Sequence, residues 1–504
     1  MKARLLAHRD FVVSAIDQRL YGSFIEHLGR AVYSGIYEPN HSTADKNGMR
    51  QDVIDLVREL DIPIVRYPGG NFVSAYNWED GIGPRDKRPT RLDLAWHTSE
   101  SNNVGIHEFA NWCEAANTEM MLAVNLGSRD LDAARNFLEY VNHPGGTKWS
   151  DLRRSNGREE PWNVKLWCLG NEMDGPWQIG HKTADEYGRL AYETAKAMRA
   201  FDKSIELVVC GSSNPNMVTY PEWEATVLGH TYDVVDHISL HMYFNNRAGN
   251  TGDYLAQSCK LETYIDTVAS IIDYVQAKKR SKKKIHISFD EWNVWYHSNA
   301  QDRAILDGEK GWPSAPPLLE DIYNFEDVLQ VGLIINAFIR RADRVKIACL
   351  AQLVNVIAPI MTVPDGPAWR QTIFYPFKFA STLGRGTALR LNVDVPSYFT
   401  EVADHVPYLD ASAILAKGGK RITFFIISRH QTETIDLEIK LSGFGELQIS
   451  AHQTMANPDR CATNSASAPF NVIPKQGEGL KCQNDTISGR IGPLSYHVVN
   501  VAIV

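Results

Sequence analysis

Lys165-Leu-Trp-Cys-Leu-Gly-Asn-Glu172 is an apolar run that ends on a glycine, an amide and a carboxylate. A nearly continuous apolar run is typical of a strand in a parallel sheet, because both faces of such a strand are covered. Asn171 and Glu172 then lie at its C-terminal end, where barrel enzymes carry their catalytic groups. For one such Glu alone, the simpler interpretation is that it opens the next helix.

A second run of this kind is Ile285-His-Ile-Ser-Phe-Asp-Glu291, which Trp-Asn-Val-Trp295 follows. Two strands that each end on a Glu predict a site with paired carboxylates. Glycoside hydrolysis needs one carboxyl group to protonate the leaving oxygen and another to attack or to activate water. Aromatic residues after both carboxylates favour a sugar pocket, although each alone is more often a core residue: Trp177, Trp292, Trp295 and Tyr296.

The composition is that of a soluble globular protein, with 44% apolar and 22% charged residues in a chain of 504. This length accommodates a barrel and a second domain. A net charge of −8 argues against nucleic-acid binding, because phosphate contacts need a basic surface.

The cellular location is predicted from what the sequence lacks. The N-terminus shows no signal-peptide pattern, and no apolar run of about 18 residues predicts a membrane span. The seven cysteines are widely spaced, without a CxxC pair, which is typical of free thiols in a reducing compartment. We therefore expect a cytoplasmic protein.

Strand and helix patterns alternate over about 380 residues. Strands are predicted near residues 20–26, 62–67, 120–126, 164–172, 205–210, 234–243, 285–291 and 345–354. Helices are predicted near 49–60, 106–116, 131–141, from 183 onward, 254–278 and 325–339. Eight strands that alternate with helices indicate parallel βαβ units and an α/β fold, a (β/α)8 TIM barrel, with a doubly wound open sheet as the alternative.

Two loops at strand ends look functional. Pro68-Gly-Gly-Asn71 follows the second strand, and its glycines allow a sharp turn that leaves the Asn71 amide free for a ligand. The polar segment 78–102 is longer than a plain connection, and long ordered loops in compact domains are usually functional.

No motif supports a metal or a nucleotide cofactor. His237 and His241 are four residues apart on a predicted strand, a spacing of about 13 Å that prevents chelation of one ion. The basic run 278–284 lies where a predicted helix ends, and positive charges stabilise the C-terminal end of a helix.

From about residue 389 the periodicity becomes that of short strands, as in 422–427, 435–439 and 498–503. We therefore predict a C-terminal all-β sandwich (jelly-roll-like) domain at 388–504, with 455–486 as loops within it. The barrel then occupies 18–387, and residues 1–17 supply the β domain with a further strand.

Five motifs, spread over essentially the whole chain, resemble the α-L-arabinofuranosidases of glycoside hydrolase family 51. They are Gly22-Ser-Phe-Ile-Glu26-His-Leu-Gly-Arg30, Arg66-Tyr-Pro-Gly-Gly-Asn71-Phe-Val-Ser, Trp78-Glu-Asp-Gly-Ile-Gly-Pro84, Gly170-Asn-Glu172-Met and Asp290-Glu-Trp-Asn-Val-Trp295-Tyr. The resemblance implies a barrel with a β-sandwich, no cofactor, arabinose-containing oligosaccharide substrates and homo-oligomers that are often hexameric.

The resemblance also implies roles for individual residues. Glu172 resembles the acid/base and Glu291 the nucleophile of a retaining, exo-acting enzyme, with His241 near the pair. The residues that resemble sugar-binding groups or pocket walls are Glu26, Asn71, Trp96, Asn171, Trp177, Tyr243, Trp295 and Gln352.

Two other functions fit parts of the pattern. A β-xylosidase or endo-β-glucanase on the same barrel would keep both carboxylates and differ in its loops. A non-catalytic carbohydrate-binding protein would keep the aromatic and amide residues but has no need of two strand-end carboxylates.

Overall fold

The computed structural model describes all 504 residues. The chain forms 24 strands, which are β1 Lys2–Ala15, β2 Gly22–Phe24, β3 Ile64–Tyr67, β4 Arg91–Asp93, β5 Thr98–Glu100, β6 Glu119–Val124, β7 Leu166–Leu169, β8 Glu206–Cys210, β9 His237–Phe244, β10 His286–Val294, β11 Val345–Ala351, β12 Ile360–Thr362, β13 Ala368–Arg370, β14 Gly386–Asp394, β15 Ser397–Tyr398, β16 Val406–Pro407, β17 Leu409–Ala416, β18 Arg421–Ser428, β19 Ile435–Ser442, β20 Leu447–Ala456, β21 Lys475–Gln476, β22 Lys481–Gln483, β23 Thr486–Ile491 and β24 Ser495–Ile503.

The α-helices number ten. They are α1 Gln51–Leu60, α2 Ile106–Ala116, α3 Leu131–Asn142, α4 Lys148–Ser155, α5 Ala184–Phe201, α6 Glu222–Thr231, α7 Thr251–Lys279, α8 Asn299–Leu306, α9 Phe325–Arg340 and α10 Phe374–Leu383. None of them combines the length and the apolar composition that a bilayer-spanning helix needs.

Eight parallel strands close into a barrel, in the order β10-β11-β2-β3-β6-β7-β8-β9. Each pair of neighbours is parallel, and at least one helix follows each strand before the next. The predicted (β/α)8 barrel is therefore confirmed, and the open-sheet alternative is wrong. A barrel of this kind brings the C-terminal ends of all eight strands to one mouth.

The local sequence explains these elements. All four residues of β7 are buried, which accounts for the apolar run that precedes Asn171. Helix α5 begins with a capping box, in which the Thr183 side chain accepts from the Glu186 amide and the Glu186 side chain accepts from the Thr183 amide. The basic run ends α7, whose last residues are Lys278 and Lys279.

Helix α9 lies between the barrel and the C-terminal part of the chain. It contacts β10 on one side and β14, β17, β18 and β24 on the other. Residues Phe325–Ile339 are all buried, as expected of a helix that is apolar on every face. Gly332 leaves room for the Tyr496 ring, which a Cβ there would approach to 3.1 Å.

The β domain is one continuous sheet in the order β21-β20-β24-β18-β17-β14-β1-β19-β23-β22. Strand β20, near one edge, contacts β22 at the other, so the sheet curls over to form two facing layers. A separate apolar core of 20 residues lies inside it. The N-terminal strand β1 lies between β14 and β19.

The segment 455–486 is mostly loop, with the short strands β21 and β22. Part of it packs on the barrel rather than only within its own domain: Asn464 donates to the Arg370 carbonyl, and Val472 joins the barrel's apolar core. This docking was not predicted, because the polar composition of the segment gives no sign of a partner.

Candidate active site

Glu172 reaches the barrel mouth by a tight turn directly after β7. Gly170 (φ +95°) and Glu172 (φ +43°) both have left-handed backbone conformations, which are unusual for a residue with a side chain and recur at functional sites. The Glu172 side chain is almost buried. It therefore projects into the mouth rather than opening a helix.

Glu291 lies within β10, next to a β-bulge. Between Ser288 and Glu291 the strand has one more residue than its partner has between Ser239 and His241, and the pairing with β11 shifts at the same place. A bulge re-aims side chains that would otherwise alternate between faces. It explains why the neighbours Asp290 and Glu291 both contact barrel-interior groups.

The two glutamates are close. A carboxylate oxygen of Glu172 and one of Glu291 lie within 4.8 Å of each other and of a His241 ring nitrogen. His241 Nδ1 is 2.9 Å from Glu172 Oε1 and 3.6 Å from Glu291 Oε2. A gap of this size is too short for the inverting arrangement, in which a water molecule stands between the sugar and a carboxylate on the face opposite the leaving group.

His241 is held between anions. Its Nε2 is 2.9 Å from Asp290 Oδ1. Burial lowers the pKa of the imidazole, but the carboxylates of Glu291, Asp290 and Glu172 outweigh burial and raise it to about 10. His241 is thus an imidazolium at neutral pH that donates from both nitrogens, with no lone pair for a metal ion, although Glu172, His241 and Glu291 are close enough to surround one.

Arg66 is a second buried cation in this cluster. Its Nη1 donates to Glu291 Oε1 at 2.7 Å and its Nη2 to Asn171 Oδ1 at 2.5 Å. Tyr243 donates to the other Glu291 oxygen at 2.8 Å. Glu291 is therefore fixed by two donors, as an attacking carboxylate needs to be.

Glu26, which follows β2, and Gln352, which follows β11, form another wall of the site. Glu26 Oε1 accepts from the Phe72 amide and from Trp96 Nε1, both at 2.8 Å, and Gln352 Nε2 donates to Oε2 at 3.3 Å. Burial and the nearby Glu291 charge raise the pKa of the Glu26 carboxyl to about 8. The glycine turn serves this contact, because a Cβ on Gly70 would lie 2.3 Å from Glu26 Oε2.

The remaining predicted residues lie at different depths. Trp177 is 46% exposed and donates to Glu172 Oε2 at 2.7 Å. Trp295 packs edge-on against Tyr243, and Asn71 is half-buried at the start of a short 3₁₀ helix. Trp292 is in the core against Phe338, so its prediction as a pocket residue is wrong.

Sequence reasoning gave no role to three residues that complete the cluster: Arg66, Asp290 and Gln178. Gln178 Oε1 accepts from the Asn171 side-chain NH2 group at 3.5 Å, and Gln178 Nε2 donates to the Ser74 hydroxyl. Gln178 thereby fixes the orientation of the Asn171 side chain. One signal was available. An Arg inside the buried strand Ile64–Tyr67 needs buried anionic partners.

Comparisons with known proteins show the family of the chain. The family models Alpha-L-arabinofuranosidase 1 domain and Alpha-L-arabinofuranosidase C-terminal domain match residues 56–258 and 290–495. Two relatives, from Halalkalibacterium halodurans and Bacillus subtilis, are each 53% identical over 99% of both chains. Both are called intracellular exo-α-(1→5)-L-arabinofuranosidases.

Solved structures give the same result. A family 51 α-L-arabinofuranosidase from Bifidobacterium longum superposes with a TM-score of 0.94 at 43% identity, over 99% of each chain. An α-L-arabinofuranosidase from Thermotoga maritima, solved with arabinose, has a TM-score of 0.88 at 33% identity and covers 99% of this chain and 100% of its own. The paired carboxylates thus stand in a chain that belongs to the α-L-arabinofuranosidases of glycoside hydrolase family 51.

Proposed function

We propose that Glu291 is the nucleophile and Glu172 the general acid/base with which this exo-α-L-arabinofuranosidase releases non-reducing terminal arabinofuranosyl residues with retention of configuration. The observation that carries retention is the gap of at most 4.8 Å between a carboxylate oxygen of each residue, and the role of each follows from the family motif in which it stands. Retaining glycosidases separate their carboxyl groups by about 5–5.5 Å and inverting ones by about 6.5–9.5 Å.

In the first step, Glu291 attacks the anomeric carbon and the glycosidic oxygen leaves with a proton from Glu172. In the free protein Glu172 accepts hydrogen bonds from His241 and Trp177. The proton therefore comes to Glu172 from the His241 imidazolium, across the 2.9 Å contact. Arg66 and Tyr243 orient the attacking carboxylate by donating to both of its oxygens.

In the second step, water attacks the arabinosyl ester of Glu291. The ester has no charge, so the anion that contributes most to the raised pKa of His241 is gone. Glu172, now ionised, takes a proton from the attacking water, and that proton returns to His241 as Glu291 is released. One carboxylate thus serves as acid and then as base.

The pocket wall supports exo action. Glu26, Asn71, Asn171 and Gln352 supply polar groups for the hydroxyls of one small ring, and Trp96 is tied to Glu26 beside them. A site that hydrogen-bonds sugar hydroxyls discriminates against a ring that lacks them, so this set favours a ring that pairs with all of these groups. Rapid loss of viscosity from a linear arabinan, with little free arabinose, would contradict exo action.

The relatives support narrower statements. Since two of them are called intracellular exo-α-(1→5)-L-arabinofuranosidases, we propose α-(1→5)-linked arabino-oligosaccharides as substrates in an intracellular location. A third, from Bifidobacterium longum, is called an exo-α-(1→6) enzyme at 47% identity. Product analysis on oligosaccharides of defined linkage distinguishes the two.

We also propose that the protein is a homo-oligomer, and the family resemblance implies a hexamer. Light scattering tests the oligomeric state. For the domains, we propose that residues 18–387 form the barrel and that residues 1–17 and 388–504 form the β domain, a division that limited proteolysis tests. Two neighbours with other activities, an endoglucanase and a glucanase-xylanase, are 12% and 11% identical. They share the fold alone.

Two variants test the roles of the glutamates. Glu291→Ala should lose nearly all turnover on every arabinofuranoside, because no glycosyl-enzyme forms. Glu172→Ala should still be glycosylated by a nitrophenyl arabinofuranoside, whose leaving group needs no proton, and azide should restore turnover with an α-arabinofuranosyl azide as product. If the two variants behaved alike on activated and unactivated leaving groups, the assignment would be wrong.

A further inference from the structure

A groove of about 530 Å³ crosses the rim of the barrel at the ends of β8 and β9. Its lining includes Asn214, Tyr243, Asn245 and Val402, and we call it the β8–β9 groove. Its volume is within the range of about 300–1,000 Å³ for pockets that bind small molecules. Tyr243 forms its inner end and also donates to Glu291.

The strand order places this groove on the leaving-group side. The wall that we assign to the arabinosyl ring, Glu26, Asn71 and Gln352, follows β2, β3 and β11, which are neighbours. Glu172 follows β7 and Glu291 belongs to β10, and β8 and β9 lie between these two strands on the far side of the barrel. A glycoside that spans the two carboxylates therefore points its leaving group towards β8 and β9.

The chemistry of the lining suits sugar hydroxyls. The side-chain NH2 groups of Asn214, Asn216 and Asn245 have no partner within the chain, since the bonds they make use only their Oδ1 atoms. Gln257 and Lys260 are occupied, with Gln257 bonded to the Asn245 backbone and Lys260 to Asn216. Three unused amide donors beside apolar surface are what a sugar ring pairs with.

The outer wall comes from the β domain. Residues Glu401–Ala403, in the loop between β15 and β16, line the groove together with the asparagines. The loop is attached to the start of α7: the Glu401 amide donates to Asp253 at 3.3 Å, and Tyr398 donates to the Gly252 carbonyl at 3.2 Å. The wall is thus held against the barrel.

We propose that the β8–β9 groove binds the sugar residues on the leaving-group side of the scissile bond, and that the β domain thereby takes part in substrate selection. This inference rests on the proposed function. It adds that the specificity of the enzyme for chain length depends on groups from both domains.

The test compares substrates that differ only in their leaving group: a nitrophenyl arabinofuranoside and α-(1→5)-linked arabinobiose, arabinotriose and arabinotetraose. Asn214→Ala/Asn245→Ala should lower kcat/KM roughly tenfold on the longer oligosaccharides, as expected for two lost hydrogen bonds. It should not change kcat/KM on the nitrophenyl substrate, which has no leaving-group hydroxyls. Val402→Trp, which fills the groove from the β domain, should lower kcat/KM increasingly with chain length.

Asn392→Ala, at an exposed position of β14, is the matched control and should change nothing. Equal losses on all substrates, or no loss on any, would overturn the proposal while leaving the arabinofuranosidase assignment intact. A wild-type protein inactive on the nitrophenyl substrate would instead refute the proposed function itself.

Discussion

Arg66 shows how one buried side chain organises the catalytic cluster. Its guanidinium donates to both Glu291 and Asn171, and its Nε lies 3.7 Å from Asp290 Oδ2. The Cζ atom lies 4.8 Å from the centre of the Phe24 ring. A fork of this geometry can orient two acceptors at once, which a lysine cannot. Arg66 is therefore a positioning residue for the nucleophile.

We expect Arg66→Lys to retain the charge but lose the second contact. Its kcat should fall by roughly 10² on aryl arabinofuranosides, similar to removal of one preorganised donor elsewhere, with a smaller change in KM. The kcat of Arg66→Met, which removes the charge, should be lower still. Steady-state kinetics on purified variants of unchanged melting temperature check this, and equal kcat in Arg66→Lys and wild type would contradict it.

Sequence patterns singled out the residues to which we assign the chemistry, but not the residues that contact and position them. Asn171 and Glu172 follow one apolar strand, Glu291 lies within another, and all three stand in recognisable motifs. Arg66, Asp290 and Gln178 act through partners up to 225 positions away in the chain, and no spacing rule predicts such contacts. The β-bulge that turns Asp290 inward leaves no local mark either.

Asp290 is a positioning residue whose effect is measurable through pH. It and Glu172 hold the two His241 nitrogens, and Glu291 faces the same ring. Asp290→Asn removes one of these three anions, so the pKa of His241 should fall from about 10 by about one to three pH units.

Because His241 must be charged to supply the proton, the alkaline limb of kcat/KM should move to lower pH in Asp290→Asn. The shift should be larger for alkyl than for nitrophenyl leaving groups, which need no protonation. A pH profile from 5 to 10 with both substrates measures this. An alkaline limb that stayed in place would show that His241 does not supply the proton.

At the scale of elements, the hairpin of β4 and β5 makes two hydrogen bonds to the segment after β2 that carries Glu26 and His27. Trp96 donates to Glu26, and His27 Nδ1 is 2.9 Å from Glu100 Oε2. The other His27 nitrogen bonds to Tyr67 at 2.7 Å. Although burial opposes ionisation, the facing His27 holds the pKa of Glu100 below its ordinary value.

We expect Glu100→Gln to loosen the hairpin and with it the Trp96 contact. KM for arabinofuranosides should rise about tenfold with a smaller effect on kcat, because the pocket wall must be ordered on binding. Asp80→Asn is the control, since it breaks the pair with the exposed Arg91 of the same hairpin, where little energy is at stake. Amide exchange of 91–100 should speed up in Glu100→Gln only.

The elements themselves were largely predictable. Helix α2 has the predicted bounds, and most others agree within a few residues, because their apolar faces repeat clearly. The strand predicted from 234 starts at His237 instead, since Val234 and Val235 still bond to the Thr231 carbonyl at the end of α6. The β-branched residues Val234 and Val235 favoured a strand there, but in the structure they belong to the turn that ends α6.

At the scale of the whole molecule, a buried ion-pair cluster joins the two domains. Asp410 of β17 accepts from Arg340 and Asn336 of α9 at 2.9 and 2.8 Å, and from Arg429 at 3.1 Å. Arg429 also reaches Ser258 of α7 at 2.8 Å. Two barrel helices and two β-domain strand ends thus meet at one carboxylate.

This interface lies beyond what sequence patterns reveal. The apolar composition of α9 on every face indicated that the helix is buried. It did not indicate that a sheet about 70 residues later in the chain covers the helix. Asp410 and Arg429 lie in β-rich segments that look like ordinary exposed positions. Only the folded chain shows that they are partners.

Asp410→Ala should destabilise the protein by about 3–5 kcal/mol, because it leaves the buried Arg429 without its anion and removes one of the two carboxylates that pair with Arg340. The control Asp436→Asn breaks an exposed pair with Arg490 on the same domain and should have almost no effect. Calorimetry at pH 7 measures the difference.

The same carboxylate predicts an acid dependence. Burial raises the pKa of Asp410, but Arg340 and Arg429 outweigh it and hold that pKa at about 2, below the ordinary value of 3.8. A depressed pKa stabilises the fold above the unfolded-state value and loses that effect as pH falls towards the folded-state value. The stability gap between wild type and Asp410→Asn should therefore be constant above about pH 5 and shrink from there towards pH 2. A gap that widened on acidification would mean that the arginines do not hold Asp410 ionised.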